Sequence, residues 1–175
     1  MSKRAKSSRT AKRKPLKRKS SSRTTKARKK TAVRKTAAPK AASRANVMPC
    51  LTYRDAPAAV EFLCGAFGFA KKMVVKGDAD TIAHAELTLG NAMVMLGSHK
   101  ETEYGKLVKT PAEVGICTQT IYLVVANPDA HHDKAKAAGA EIVIPPTTQS
   151  YGGRDYTCRD AEGHIWTFGT YDPWA

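Results

Sequence analysis

Residues 151–174 read YGGRDYTCRDAEGHIWTFGTYDPW. Asp155–Arg159 and His164–Thr170 read as two strands, and Asp160–Gly163 supplies the turn between them. The stretch is therefore a hairpin rich in aromatic residues. Upstream, Thr120–Val125 reads as a strand, Asn127 is placed to cap a helix with Pro128 in its first turn, Gly139 ends that helix, and Ala140–Ile144 forms a further strand. The same order occurs earlier in the chain. VMPCLTY, residues 47–53, is a short strand, and Asp55 caps a helix with Pro57 near its start. Val60, Leu63, Cys64 and Phe67 mark one helix face at i, i+3, i+4, i+7, and Gly68 ends it. Ala70–Lys76, Thr81–Leu89 and Ala92–Gly97 follow as strands, with turns at Gly77–Asp78 and Gly90–Asn91. Gly139 lies 71 residues after Gly68, and Gly163 lies 73 after Gly90. The chain thus predicts an α+β domain over residues 46–175, made of two βαβββ repeats at about 47–98 and 119–174 with a polar loop between them. Neither unit can bury its sheet alone, so the repeats should share a core.

Charge separates this domain from what precedes it. Residues 1–45 hold 19 of the 30 Lys and Arg and no acid, whereas residues 46–175 hold 11 cations and all 15 acids. The overall +15 is thus +19 on the tail and −4 on the domain. A segment with so few large apolar residues cannot offset its chain entropy and is expected to be disordered. Its composition resembles linker-histone tails and bacterial Lys/Ala/Pro-rich nucleoid proteins. Lys12, Arg13, Lys14, Lys17, Arg18, Lys19, Arg28, Lys29 and Lys30 are the expected nucleic-acid contacts. They would act on phosphates without reading sequence, because the tail has no aromatic residue to stack on bases. Cys50, Cys64, Cys117 and Cys158 form no C-x-x-C pair and read as free thiols of a reducing compartment. With no apolar run long enough for a membrane span and no secretory signal, the expected location is cytoplasmic, with association to the nucleoid through the tail.

Two segments carry a family resemblance: PCLTYRDAPAAVEFLCGAFGF at 49–69 and AGAEIVIPPTTQSYGGRDYTCRDAEGHIWTFGTYDPW at 138–174. Together with the repeat spacing they resemble the vicinal oxygen chelate superfamily, nearest to its glyoxalase/bleomycin-resistance branch, over about Val47–Trp174. That superfamily includes glyoxalase I, extradiol dioxygenases and fosfomycin-resistance proteins. The resemblance implies that each unit curls into half of a mixed-sheet cup, that a ligand sits in the cleft, and that the protein is a homodimer.

In the metal-dependent members, His, Gln or Glu from the first and last strand of each unit bind a divalent ion. The corresponding positions here are Met48, Val94, Thr120 and Thr167. A thioether is too soft for Zn²⁺, Ni²⁺ or Fe²⁺, valine has no donor, and neutral threonine is a poor ligand. Among the neighbouring residues Gln119 alone could ligate, so no metal or other cofactor is expected. His84 and Glu86, at i and i+2 of one strand, are the weak candidates for acid–base catalysis, with a simple surface pair as the competing reading. His131 and His132 are expected to be solvated, and His164 to fix its turn.

What remains is a binding wall. Alternation that turns Met48 inward also turns in Cys50 and Thr52, and in the second unit Thr120 brings Tyr122. Arg154, Tyr156, Trp166 and Thr167 add aromatic and cationic contacts from the hairpin, although core packing competes for Trp166. The expected activity is binding of a small, largely planar molecule by a metal-free bleomycin-resistance-type protein. Two alternatives stay open: a glyoxalase-like lyase, isomerase or dioxygenase with an unrecognised metal site, and a nucleoid protein that uses the domain to dimerise.

Overall fold

The structure, a computed structural model, describes residues 47–175. The basic tail and its expected nucleic-acid contacts lie outside the described residues. The first unit comprises β1 (Cys50–Tyr53), α1 (Ala56–Phe67), β2 (Ala70–Lys76), β3 (Ile82–Leu89) and β4 (Ala92–Ser98). The second comprises β5 (Thr120–Val124), α3 (Pro128–Ala137), β6 (Glu141–Thr148), β7 (Arg154–Arg159) and β8 (Ile165–Gly169). The sheets have equivalent orders, β1-β4-β3-β2 and β5-β8-β7-β6, each with one parallel pair and two antiparallel pairs. The parallel pairs, β1 with β4 and β5 with β8, follow from the helix that each unit inserts after its first strand.

The capping residues act as their chemistry dictates. The Asp55 carboxylate accepts from the Ala58 amide at 3.0 Å, and the Asn127 side chain accepts from the Ala130 amide at 3.1 Å. Gly68 closes α1 in the left-handed region at φ 80°. Two features differ from the sequence reading. The polar loop contains a short helix, α2 (Pro111–Val114), started by a capping box in which Glu113 reaches back to the Thr110 amide at 2.9 Å. Strand β6 runs on through Pro145 and Pro146 to Thr148, which it can do because it is an edge strand and needs no donor on its outer side.

One continuous core joins the two units. Leu51, Tyr53, Ala85, Leu87, Val94 and Leu96 line the helix side of the first sheet, and Ile121, Leu123, Tyr156, Cys158, Trp166 and Phe168 line that of the second. Phe67 of α1 packs against Trp166 and Phe168, with ring centroids 5.5 and 4.9 Å away. These aromatic residues are fully buried, and removing any of them should cost about 3–5 kcal/mol.

Candidate functional site

Each sheet has a second face, turned away from the helices. On the first sheet the pairing register puts Cys50 beside Met95, Met95 beside Glu86, and Glu86 beside Met73. The next row holds Thr52 beside Gly97. On the second sheet, Tyr122 lies beside Thr167 and Thr167 beside Thr157, whose hydroxyls share a hydrogen bond of 2.9 Å. Thr157 lies beside Ile144. A cavity of about 300 Å³ opens on the first face, between Cys50, Thr52, His84, Met95 and the loop from His99 to Val108.

The expected site residues therefore divide. Cys50, Thr52, Thr120, Tyr122 and Thr167 lie on the open faces, as alternation requires. Met48, just ahead of β1, is partly exposed on the same side by the same alternation. Tyr156 and Trp166 do not line a pocket: both are completely buried on the helix side. The reason is the pleat. In β7 the even-numbered residues 154, 156 and 158 face the helices, which leaves Asp155 and Thr157 on the other side. Arg154 follows the same rule and is not free to hold an anion. Its guanidinium grips Asp129 at the start of α3 in two bonds of 2.7 and 2.8 Å, which holds that carboxylate below its usual range.

Val94 is likewise corrected, since it is buried under α1. The residue equivalent to Thr167 is Met95, because Met95 pairs with β1 as Thr167 pairs with β5, and each is followed two residues later by a glycine, Gly97 or Gly169. The tight Gly90–Asn91 turn and the longer Asp160–Gly163 turn offset the count from the turn glycine by one residue. Neither Met95 nor Met93 would suit a hard divalent ion better than valine, so the residues present do not fit the metal site of the metal-dependent proteins. Among the described residues no three His, Cys, Asp or Glu side chains are grouped to hold such an ion.

His84 and Glu86 do share the open face, with Nε2 3.5 Å from Oε1. Glu86 is also bonded to Lys72, chiefly through which its carboxyl is held below the ordinary value. His131 and His132 are not solvated. Both pack against Tyr156, with ring centroids 5.8 and 5.3 Å away. His131 donates from Nε2 to the Phe67 carbonyl at 3.0 Å and accepts at Nδ1 from the Tyr156 hydroxyl at 2.6 Å. That arrangement suits the neutral ring, and burial pushes its pKa down. Cys158 is a structural thiol whose pKa burial pushes up to about 12.

The Asp160–His164 turn fixes more than itself. Asp160 accepts from the Tyr53 hydroxyl at 2.7 Å, from the Trp166 indole at 3.0 Å, and from the amides of Glu162 and His164 at 3.0 Å each. Glu162 accepts from the amides of Arg54 and Asp55 at 2.7 and 2.8 Å, and His164 donates from Nε2 to the Thr52 carbonyl at 3.1 Å. The turn of the second unit thus satisfies the backbone just ahead of α1 in the first. A larger cavity of about 740 Å³ lies beside this junction, but its Asp55, Asp160 and Glu162 carboxylates are already committed to these bonds.

The profile of the glyoxalase/bleomycin resistance protein/dioxygenase superfamily matches residues 45–168. The chain belongs to that superfamily. Uncharacterized proteins from Mycobacterium bovis and Mycobacterium tuberculosis are 32% identical over 121 residues, covering 69% of this chain and 80% and 71% of theirs. The crystal structure of TioX from Micromonospora sp. ML1 is 31% identical, covers 73% of this chain and 97% of its own, and superposes with a TM-score of 0.56. UcmS2, at 16% identity and a TM-score of 0.56 over 74% of this chain and 100% of its own, shares the fold. The superfamily's paired units explain why the two sheets have equivalent strand orders and why each leaves one face uncovered.

Proposed function

We propose that this superfamily member binds a small, largely planar organic molecule on its open sheet faces, without a divalent metal. The observation that carries the reading is the chemistry of those faces. Thioether, thiol, hydroxyl and aromatic side chains line them, and a cavity of about 300 Å³ is already formed on the first. A mostly apolar wall with a few polar groups is what a ligand pocket requires. Methionine adapts to flat aromatic surfaces through its polarizable sulfur.

Two copies of the chain would bring one such face opposite another. Exposed Met48, Tyr122, Val124 and Ile144 on these faces support a homodimer, because a lone domain gains nothing from leaving them in water. The basic tail would associate non-specifically with nucleic acid, giving a cytoplasmic, nucleoid-associated protein. No helix among the described residues is long and apolar enough to cross a membrane.

The test is a thermal-shift screen of the metal-free protein with planar aromatic compounds. A ligand should raise the melting temperature of the wild type, and Tyr122→Ala should lose most of that rise. If no compound in a broad panel stabilises the protein, the binding reading fails.

A further inference from the structure

We propose that the open face of the first sheet is a binding site for a soft monovalent metal ion, Cu(I), held by the Cys50 thiolate and the Met95 thioether with Met48 and Met93 beside them. The chain has five methionines, and the four after Met1 are Met48, Met73, Met93 and Met95. Backbone register gathers them on one surface. Met95 sits directly beside Cys50 across the parallel pair, at a strand spacing of about 4.8 Å. The pairing is closed by the Met95 amide, which donates to the Pro49 carbonyl at 2.9 Å. Met48 and Met93 each precede one of the central pair by two residues, so alternation puts them on the same face. Met73 joins the row from the far side of Glu86.

Five sulfur side chains share this face of the four-stranded sheet, with the Glu86 carboxylate, bonded to Lys72, between Met95 and Met73. Thiolate and thioether ligands select Cu(I), whereas hard or borderline divalent ions prefer the carboxylates and imidazoles that the corresponding superfamily positions lack here. The face is also reachable: Cys50 is exposed, and Cys50 and Met95 both line the cavity of about 300 Å³. The two residues that would hold the ion are not tied to side-chain partners. Cys50 has only a 3.8 Å contact to the Met48 carbonyl. Binding breaks the Cys50 S–H bond, forms a sulfur–copper bond and releases one proton to solvent, with no change in the oxidation state of copper. The ion needs the first sheet only, so the site does not depend on the organic ligand or on the dimer.

The experiment uses the reduced full-length protein under anaerobic conditions, titrated with Cu(I) in competition with the chromophoric chelator bicinchoninate. Residues 2–47 contain no Cys, Met or His, so the tail supplies no competing soft ligand beyond Met1. The wild type should withdraw about one equivalent of Cu(I) and should not retain Zn²⁺ under the same conditions. Cys50→Ser and the volume-conserving Met95→Leu should each weaken retention about tenfold or more, while Cys117→Ser, in the loop before β5, should change nothing. Unchanged melting temperatures of the metal-free variants would show that folding is preserved. Wild-type retention by Met95→Leu would overturn the site, because it removes the thioether from the coordination. Equal losses in Cys50→Ser and Cys117→Ser would also overturn it, as generic thiol binding. A response of the metal-free protein to planar compounds reads the organic ligand separately, so either idea can fail without the other.

Discussion

Asp160 is buried and accepts four hydrogen bonds, two from side chains and two from backbone amides. Asp160→Ala would leave the Tyr53 hydroxyl and the Trp166 indole without partners in the interior, and should cost about 3 kcal/mol, read as a lower urea midpoint. Tyr53→Phe removes one donor and should cost about 1.5 kcal/mol in the same assay. His131 gives a pH signature. Its folded pKa is depressed by burial below the ordinary 6.5, so the unfolded chain takes up the proton first. Stability from the neutral ring is therefore complete above pH 6.5 and is lost as pH falls below it. The melting temperature should drop on acidification from neutrality through this window, and His131→Gln should flatten that part of the profile; an unaltered profile would remove His131 as the cause. These residue roles were only partly legible beforehand. His164 reads from sequence as a turn residue, but its bond to Thr52 depends on a contact 112 positions away. His131 looks solvated on a polar helix because nothing local announces that Tyr156 and Phe67 lie beneath it.

At the scale of elements, the strand pleat decides which side chains reach the open faces. Gly97 and Gly169 occupy equivalent places on β4 and β8, next to the first strand of each unit. A Cβ on Gly169 would come within 2.5 Å of the Tyr122 hydroxyl and 2.7 Å of Asp155 Cβ, and one on Gly97 within 3.2 Å of the Ala83 carbonyl. Gly169→Ala should thus displace Tyr122 from its 3.0 Å bond to the Tyr171 carbonyl and destabilise by about 1–3 kcal/mol, measured by chemical denaturation. Gly97→Ala should cost less. Within each repeat the order of strands and helix, the Asp55 and Asn127 caps and the terminating glycines were readable in sequence, because each rests on contacts within a few residues. Facing direction was readable where an alternating strand is short and regular, as in β1 and β5. It was misjudged at Val94 because two hairpins of different turn length were counted from the same glycine, and at Tyr156 because alternation with Asp155 and Thr157 separates two faces without saying which side of the sheet holds the helix. Matching Leu96–Gly97 to Phe168–Gly169 would have corrected the register.

At the scale of the molecule, the two regions of opposite charge should separate in function. If the tail carries nucleic-acid association, the intact protein should bind duplex DNA with affinity that falls steeply as salt rises, whereas residues 47–175 should stay folded and not bind. Gel-shift assays at two salt concentrations, with circular dichroism of the shortened protein, check both halves of that expectation. Sedimentation of the same fragment tests the proposed dimer, which should form without the tail because the exposed apolar residues belong to the sheets. The architecture was legible as a whole because the duplicated unit repeats its landmarks. The identity of the proposed ligand was not, because a wall of methionine, threonine and tyrosine side chains would admit many molecules.

The Asp160–His164 turn has a directional consequence. It acts as a plug in the second unit that fits a socket formed by Thr52–Asp55 in the first, while the first unit's own Gly90–Asn91 turn offers no carboxylate to reciprocate. Two first halves or two second halves cannot join in this way; only unlike halves can. A chain cleaved within the 99–118 loop should therefore reassemble from its two fragments, which should co-elute as a one-to-one complex. The same selectivity permits exchange between molecules: at high concentration the plug of one chain can seat in the socket of another. Asp160→Ala should suppress both the reassembly and the exchange.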